Sequence, residues 1–280
     1  MKLIYNHPGS QHNIPRVSLV GAGPGDPELI TIKGARALGE ANVVLYDTLV
    51  NESLLEYASG TVLKICVGKK PGYHHYSQKE INHLIVDLAL RYGHVVRLKG
   101  GDPFIFGRGF EELSFVSAFN IPVTVIPGIS SALAIPALHK IPLTHRGISE
   151  SFWVITGVNS NGELSNDLMY AAKSNTSVVI LMGMKKLPEI TEVFSSVGKE
   201  NIPVVIIQNG SLKNERIVSG TIRDIVYKTK VKKIHSPAII LIGRIVRLYE
   251  YDMADKIESF NNKYRDVRKN SNNRILSNIS

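Results

Sequence analysis

Three observations predict an α/β protein of two domains with mostly parallel sheets. Short β-rich runs alternate with helical spacing, a glycine-rich turn follows the first run directly, and 44% apolar composition over 280 residues supplies enough core. In the first half the runs are Val17 to Val20, Asn42 to Tyr46, Val62 to Val67, His94 to Leu98 and Val123 to Ile126. Between the third and fourth, Ile81, Leu84, Ile85, Leu88, Ala89 and Tyr92 fall at helical spacing. Ser77 and Glu80 stand there in capping-box register, and Gly93 marks the stop. After Pro127-Gly128 the alternation restarts with strands at Phe152 to Thr156, Val178 to Met182, Val204 to Gln208 and Ala238 to Ile242. Helical patterns at Leu164 to Ala172 and Leu187 to Val197 separate them. The expected division is 14–128 and 129–250, with 251–280 a basic Asn-, Lys-, Arg- and Ser-rich tail too polar to order itself.

Composition removes several function classes. Cys66 is the only cysteine, which forbids an internal disulfide and points to a reducing compartment. Neither a signal-peptide stretch at the start nor any run long enough to span a membrane is found, so a soluble, cytoplasmic protein without a membrane partner is expected. The net charge of +9 favours acidic partners, but no nucleic-acid-binding motif accompanies it. His74, His75, His139 and His145 form no recognised metal-ligand spacing, so no metal is expected.

The chemistry concentrates at strand ends. Gly21-Ala22-Gly23-Pro24-Gly25-Asp26-Pro27 follows the first strand, where a doubly wound sheet presents amides to a ligand. A dinucleotide fingerprint fails, because its third glycine falls on Asp26 and a carboxylate there repels pyrophosphate. Asp47 closes the second strand, and by spacing alone it reads as the N-cap of a following helix. Lys69 follows the third. After the fourth comes Gly100-Gly101-Asp102-Pro103-Phe104-Ile105-Phe106-Gly107-Arg108-Gly109, where four glycines permit unusual backbone and Pro103 removes a donor. Convergence of these segments on one rim of one sheet marks a ligand site.

These strings resemble the uroporphyrinogen-III C-methyltransferases, the stand-alone branch of the S-adenosylmethionine-dependent tetrapyrrole methyltransferases. The likeness runs from about 15 to 248. It includes Tyr46-Asp47, Gly68-Lys69 with His74 and Gln78, Val95 to Glu112, Pro127 to Ala132, Pro142 to Arg146, Leu181-Met182-Gly183 and Ser236-Pro237-Ala238. The resemblance implies a homodimeric two-domain enzyme with the cofactor between its domains, methylating uroporphyrinogen III at C2 and C7 to give precorrin-2 for sirohaem or cobalamin. It implies S-adenosylmethionine contacts from Pro24, Gly100, Gly101, Asp102, Ile105, Ser130, Ser131, Met182 and Gly210. Asp47 would accept a proton, Lys69 would donate one, and Arg108, Glu111 and Arg146 would face the substrate. The substrate's eight carboxylates would give Lys69, Lys70, Arg97, Lys99, Arg108 and Arg146 a common use, with Arg108 first because a planar fork matches a carboxylate.

Two departures from the family pattern stand out. Ser211-Leu212-Lys213-Asn214-Glu215 replaces a Thr-x-x-x-Gln stretch, and Gly243-Arg244 replaces Gly-Glu. The alternatives are a methyltransferase for another precorrin or cobalt-precorrin, against which Gly107-Arg108-Gly109 argues, and a catalytically idle tetrapyrrole-binding protein. Against the second stand Asp47, Lys69, Asp102 and Arg108 together.

Overall fold

A computed structural model describes residues 14–68 and 76–248. The chain forms two compact units: 136–208 with the chain from 216 onward make the second, while the first runs up to Ile135 and takes in Asn209–Glu215. Lys69, Lys70, His74, His75 and the basic tail lie outside the described residues.

The first unit is an all-parallel five-stranded sheet, β1 (Arg16–Gly21), β2 (Val43–Tyr46), β3 (Leu63–Cys66), β4 (His94–Lys99) and β5 (Val123–Ile126), in the order β3-β2-β4-β1-β5. Parallel pairing requires crossovers, supplied by α1 (Ile32–Gly39), α2 (Gln78–Tyr92) and α3 (Gly109–Ser117). Its central strands are buried along nearly their whole length because both faces are covered. Val17, Leu19, Val43, Leu45 and Val95 pack in the cluster that includes Ile81, Ile85 and Ala89 of α2 and Val116 of α3. Val20, Val44, Val96 and Leu98 pack on the other side with Ala37 and Leu38 of α1 and with Leu54 and Leu55. Ser77 and Glu80 cap α2 reciprocally as the sequence predicts, and Gly93 closes it at φ 98°.

The second unit carries β6 (Phe152–Thr156), β7 (Ser177–Leu181), β8 (Pro203–Gln208), β9 (Arg216–Thr221) and β10 (Ala238–Ile242), in the order β6-β7-β10-β8-β9. Its helices are α5 (Asp167–Lys173), α6 (Leu187–Ser195) and α7 (Ile225–Val231); α4 (Ser131–Leu138) carries the chain out of the first unit. Parallel pairing holds for β6 with β7, whereas β7–β10, β10–β8 and β8–β9 are antiparallel. The sequence signals missed this mixture because β9 and α7 carry weak patterns. In β9 only Val218 is fully buried, and Ser219-Gly220 interrupts the alternation. Gln208 pairs with Arg216, so 209–215 is the loop of an antiparallel pair and needs no crossover helix.

Candidate functional site

Because every strand of the first sheet is parallel, every carboxyl end lies on one edge, and the sequence's chemical segments meet there. Backbone contact between the loops is very close. A Cβ built on Gly21 would lie 2.4 Å from the Gly128 Cα, and one on Gly128 would lie 2.2 Å from the Gly101 carbonyl oxygen. Glycine is demanded at Gly21 and Gly128 by space. Gly23 and Gly101 exchange backbone hydrogen bonds of 3.2 and 2.8 Å, joining the loop after β1 to the loop after β4. The Asp102 carboxylate braces the same junction, accepting from Phe104 N at 2.8 Å and from Gly128 N at 3.0 Å. Both oxygens are therefore engaged by backbone amides, with lone pairs left over for a ligand.

The remaining first-unit candidates surround this junction. Ser130 is buried and accepts from Ala132 N, opening α4. Ser131 is the first residue of that helix, and Ile105 is exposed on the β4 loop. Pro24, half-buried, precedes Gly25 and Asp26, which meet the 209–215 segment: Asp26 N donates to Ser211 Oγ at 3.0 Å. Gly210 in that segment packs so closely that a Cβ would sit 2.7 Å from Ile135. Glu215 Oε2 accepts from Ser211 N at 2.8 Å, so the departure from glutamine keeps an acceptor where the loop needs one. Leu49, Ile105, Ile129 and Leu133 leave large apolar surface exposed on this unit, the surface a partly apolar ligand covers.

Asp47 is not a helix N-cap: that role belongs to Asn51, whose side chain accepts from Ser53 N. The Asp47 carboxylate instead pairs with Arg97 of β4, and its side chain is 30% exposed. Arg97 and Lys99 are corrected by the structure, since both are buried rather than offered to a substrate. They continue the Val95 face of a strand covered on both sides, and Glu112 of α3 accepts from Arg97 Nε at 3.1 Å and Lys99 Nζ at 2.9 Å. Burial acts to lower the Arg97 pKa, but Asp47 and Glu112 outweigh it and the net shift is upward. Burial pushes the Lys99 ammonium down, and the Arg97 charge adds to that. Charges at core-face positions of a doubly covered strand are a signal that the sequence offered.

Arg108 begins α3 in a left-handed conformation at φ 58°. Its Nε and Nη2 donate to the two Glu111 oxygens at 2.8 and 2.6 Å, and both side chains are about half exposed. The Glu111 hydrogen bonds raise the Arg108 pKa, and the Arg108 fork holds Glu111 below the usual carboxylate range. An exposed pair is worth about 0–1 kcal/mol, so an incoming carboxylate can displace Glu111 at little cost.

Met182 and Arg146 belong to the second unit. Met182 ends β7 at φ 57° with an exposed side chain, so it is no core residue. Arg146 is exposed beside His145, whose Nδ1 lies 2.9 Å from the Arg146 carbonyl and whose backbone is bridged to Ser149. Among the described residues no group of three or more His, Cys, Asp and Glu side chains is placed to hold a metal ion, and no helix is long and apolar enough to cross a membrane.

Comparison with known proteins places the chain in a family. Residues 16–226 match the model of the Tetrapyrrole (Corrin/Porphyrin) Methylases. A uroporphyrinogen-III C-methyltransferase of Methanocaldococcus jannaschii is 44% identical over 84% of this chain and 98% of its own length. One from Bacillus subtilis is 46% identical over 82% of this chain, but the match spans only 48% of that relative. The structure of a Thermus thermophilus uroporphyrin-III C-methyltransferase complexed with S-adenosyl homocysteine superposes with TM-score 0.72 at 40% identity, covering 83% of this chain and 99% of that one. A cobalt precorrin-4 methyltransferase reaches TM-score 0.74 at 25% identity over 85% and 99%, so shape is common to several activities and sequence separates them. With most of its described length matched in both sequence and fold, the chain belongs to the tetrapyrrole (corrin/porphyrin) methylase family.

Proposed function

We propose that the chain is an S-adenosylmethionine-dependent methyltransferase that methylates uroporphyrinogen III at C2 and C7, giving precorrin-2 for sirohaem or cobalamin. The observation that carries this reading is the 44% identity to a uroporphyrinogen-III C-methyltransferase along 98% of that relative, against 25% for the cobalt precorrin-4 enzyme. The close-packed glycine loops and the exposed apolar side chains of the first unit fit a ligand with both a polar chain and an aromatic ring. Pro24, Gly100, Gly101, Asp102, Ile105, Ser130, Ser131, Met182 and Gly210 are the residues proposed to hold it.

The cofactor supplies an electrophilic methyl group, so the protein needs to position the acceptor carbon and exclude water rather than provide a nucleophile. An electron-rich pyrrole carbon that gains a methyl leaves its ring positively charged, and the ring must lose a proton. Asp47, partly exposed and ion-paired below the surface, is suited to stabilise that charge or take the proton. Lys69 is proposed as the proton donor. Arg108 is suited to take a substrate carboxylate in place of Glu111, with Arg146 as a further cation. The enzyme is proposed to act as a cytoplasmic homodimer, without metal, nucleic acid or membrane.

Anaerobic incubation with uroporphyrinogen III and S-adenosylmethionine, followed by mass and absorbance, tests the reading. A gain of two methyl groups is expected. Methylation of a later corrinoid intermediate but not of uroporphyrinogen III would move the chain to the cobalt-precorrin branch. Neither reaction nor cofactor binding would leave it an idle tetrapyrrole binder.

A further inference from the structure

Under the sheet edge, four ionisable side chains run inward from the surface. Asp47 accepts from Arg97 Nη2; Arg97 Nε donates to Glu112 Oε1 at 3.1 Å; the same oxygen takes Lys99 Nζ at 2.9 Å and the Gln78 amide at 3.2 Å. Arg97 Nη1 donates in addition to the Leu98 carbonyl at 3.2 Å, so the guanidinium is held along three directions. Side-chain exposure falls from 30% at Asp47 to 2% at Arg97, 4% at Lys99 and 0% at Glu112. Glu112 Oε2 has no hydrogen-bond partner among the described residues, so this carboxylate is not placed for its own satisfaction.

Such a network is hard to explain as a stabilising device. Burying charges is expensive, and apolar side chains of similar volume serve a core equally well or better. Of the network's four ionisable side chains, only Asp47 is more than 4% exposed. A planar guanidinium can hold two carboxylates at fixed angles, which an ammonium cannot. Residues whose rotamers are locked from behind hold a functional group within the tolerance that chemistry demands.

We propose that Arg97, held from behind by Glu112, which Lys99 anchors in turn, is a positioning residue that fixes the orientation of the Asp47 carboxylate toward the substrate. The proposal rests on the reading of Asp47 as the group that acts on the methylated ring. Arg97 touches no reacting atom; it acts through Asp47 alone.

A double-mutant cycle on the full chain tests it. Arg97→Lys retains the buried charge and loses the fork, so the protein should fold and bind S-adenosyl homocysteine within about threefold of wild type by calorimetry. Its kcat should fall about 100-fold, the size of effect that a small misplacement of a catalytic group produces, with KM nearly unchanged. In an Asp47→Asn background the same substitution should change kcat less than about threefold, because the carboxylate it served is gone. Glu112→Gln, which leaves the Arg97–Asp47 pair in place, should give a smaller loss with the same non-additivity and stands in if Arg97→Lys fails to fold. Additive effects in the cycle, a loss confined to KM, or a wild-type kcat in Arg97→Lys would overturn the proposal while leaving Asp47 as an essential group. Wild-type turnover in Asp47→Asn would overturn both readings.

Discussion

Gly128→Ala should damage the first unit far more than its single methyl group suggests. The added carbon would stand 2.2 Å from the Gly101 carbonyl oxygen and 2.6 Å from the Gly21 Cα, so neighbouring backbone must retreat by about 1 Å. Neither neighbour is free to move. Gly101 is tied to Gly23 by two backbone hydrogen bonds, and Gly21 is the last residue of β1, paired with Lys99. Overpacking costs about 1–3 kcal/mol. Displacing Gly128 N from the Asp102 carboxylate, 3.0 Å away, adds about 1.5–3 kcal/mol for a hydrogen bond to a charged group. The combined loss is about 2.5–6 kcal/mol, which corresponds to a shift on the order of 10 °C in Tm. Gly60→Ala is the matched control, since a Cβ there meets nothing within 4 Å; it should lie within about 0.5 kcal/mol of wild type. Urea denaturation followed by circular dichroism reads both, and calorimetry with S-adenosyl homocysteine reads the site. If Gly128→Ala unfolds within 0.5 kcal/mol of wild type, or no later than Gly60→Ala, the close-packed junction is not a constraint (the 0.5 kcal/mol margin is about the scatter of a neutral surface change).

Asp102→Asn places an amide N–H₂ against one of two backbone donors and should cost about 1.5–3 kcal/mol by urea midpoint, with weaker S-adenosyl homocysteine binding. Asp47→Asn and Arg108→Ala should each lower turnover by about 100-fold or more while the melting curve stays near wild type; a wild-type rate in both removes the site assignment. His94 is buried at the amino end of β4, with Nε2 2.9 Å from Ser18 Oγ and Nδ1 3.0 Å from the Glu40 carbonyl. Burial lowers its pKa below the ordinary 6.5 and the Arg16 charge adds to that, so the unfolded chain binds the proton more readily. Stability from this group is present above about pH 6.5 and falls as pH drops from there toward the lowered folded value; His94→Gln should flatten that part of a urea-midpoint profile. Glu215→Gln keeps an oxygen for Ser211 N and should leave cofactor affinity within about twofold, whereas Glu215→Ala loosens the loop and weakens it.

Much of the first unit was legible in the sequence because its signals are local. Five apolar runs became β1–β5, and the capping box with Gly93 bounded α2 as expected. All-parallel pairing then converted strand-end motifs into one edge. The second unit was less legible, since β9 is half exposed and broken by Ser219-Gly220, and β10 inserts between β7 and β8 without any local mark. At the candidate site, Asp47 and Arg108 were named for reasons of chemistry and resemblance. The ion pairs that Arg97 makes were not foreseen, because Asp47 lies 50 positions and Glu112 15 positions away and they meet only once the sheet and α3 have assembled. Arg97 and Lys99 were misread as surface cations because a cation usually marks an exposed position, whereas these share the parity of Val95 on a doubly covered strand.

The excursion of 209–215 has a consequence for synthesis of the chain. Asp26 N and the Gly25 carbonyl lie in a turn completed early in translation, yet Ser211 Oγ, which receives the Asp26 hydrogen bond, is added 185 positions later. A nascent chain that has reached Ile135 holds all five strands of its first sheet and still lacks the piece that finishes it. The turn after β1 can therefore gain this hydrogen bond only after β8 has left the ribosome. Severing the gene at the unit boundary would yield a first unit that keeps its core and loses one side of its site.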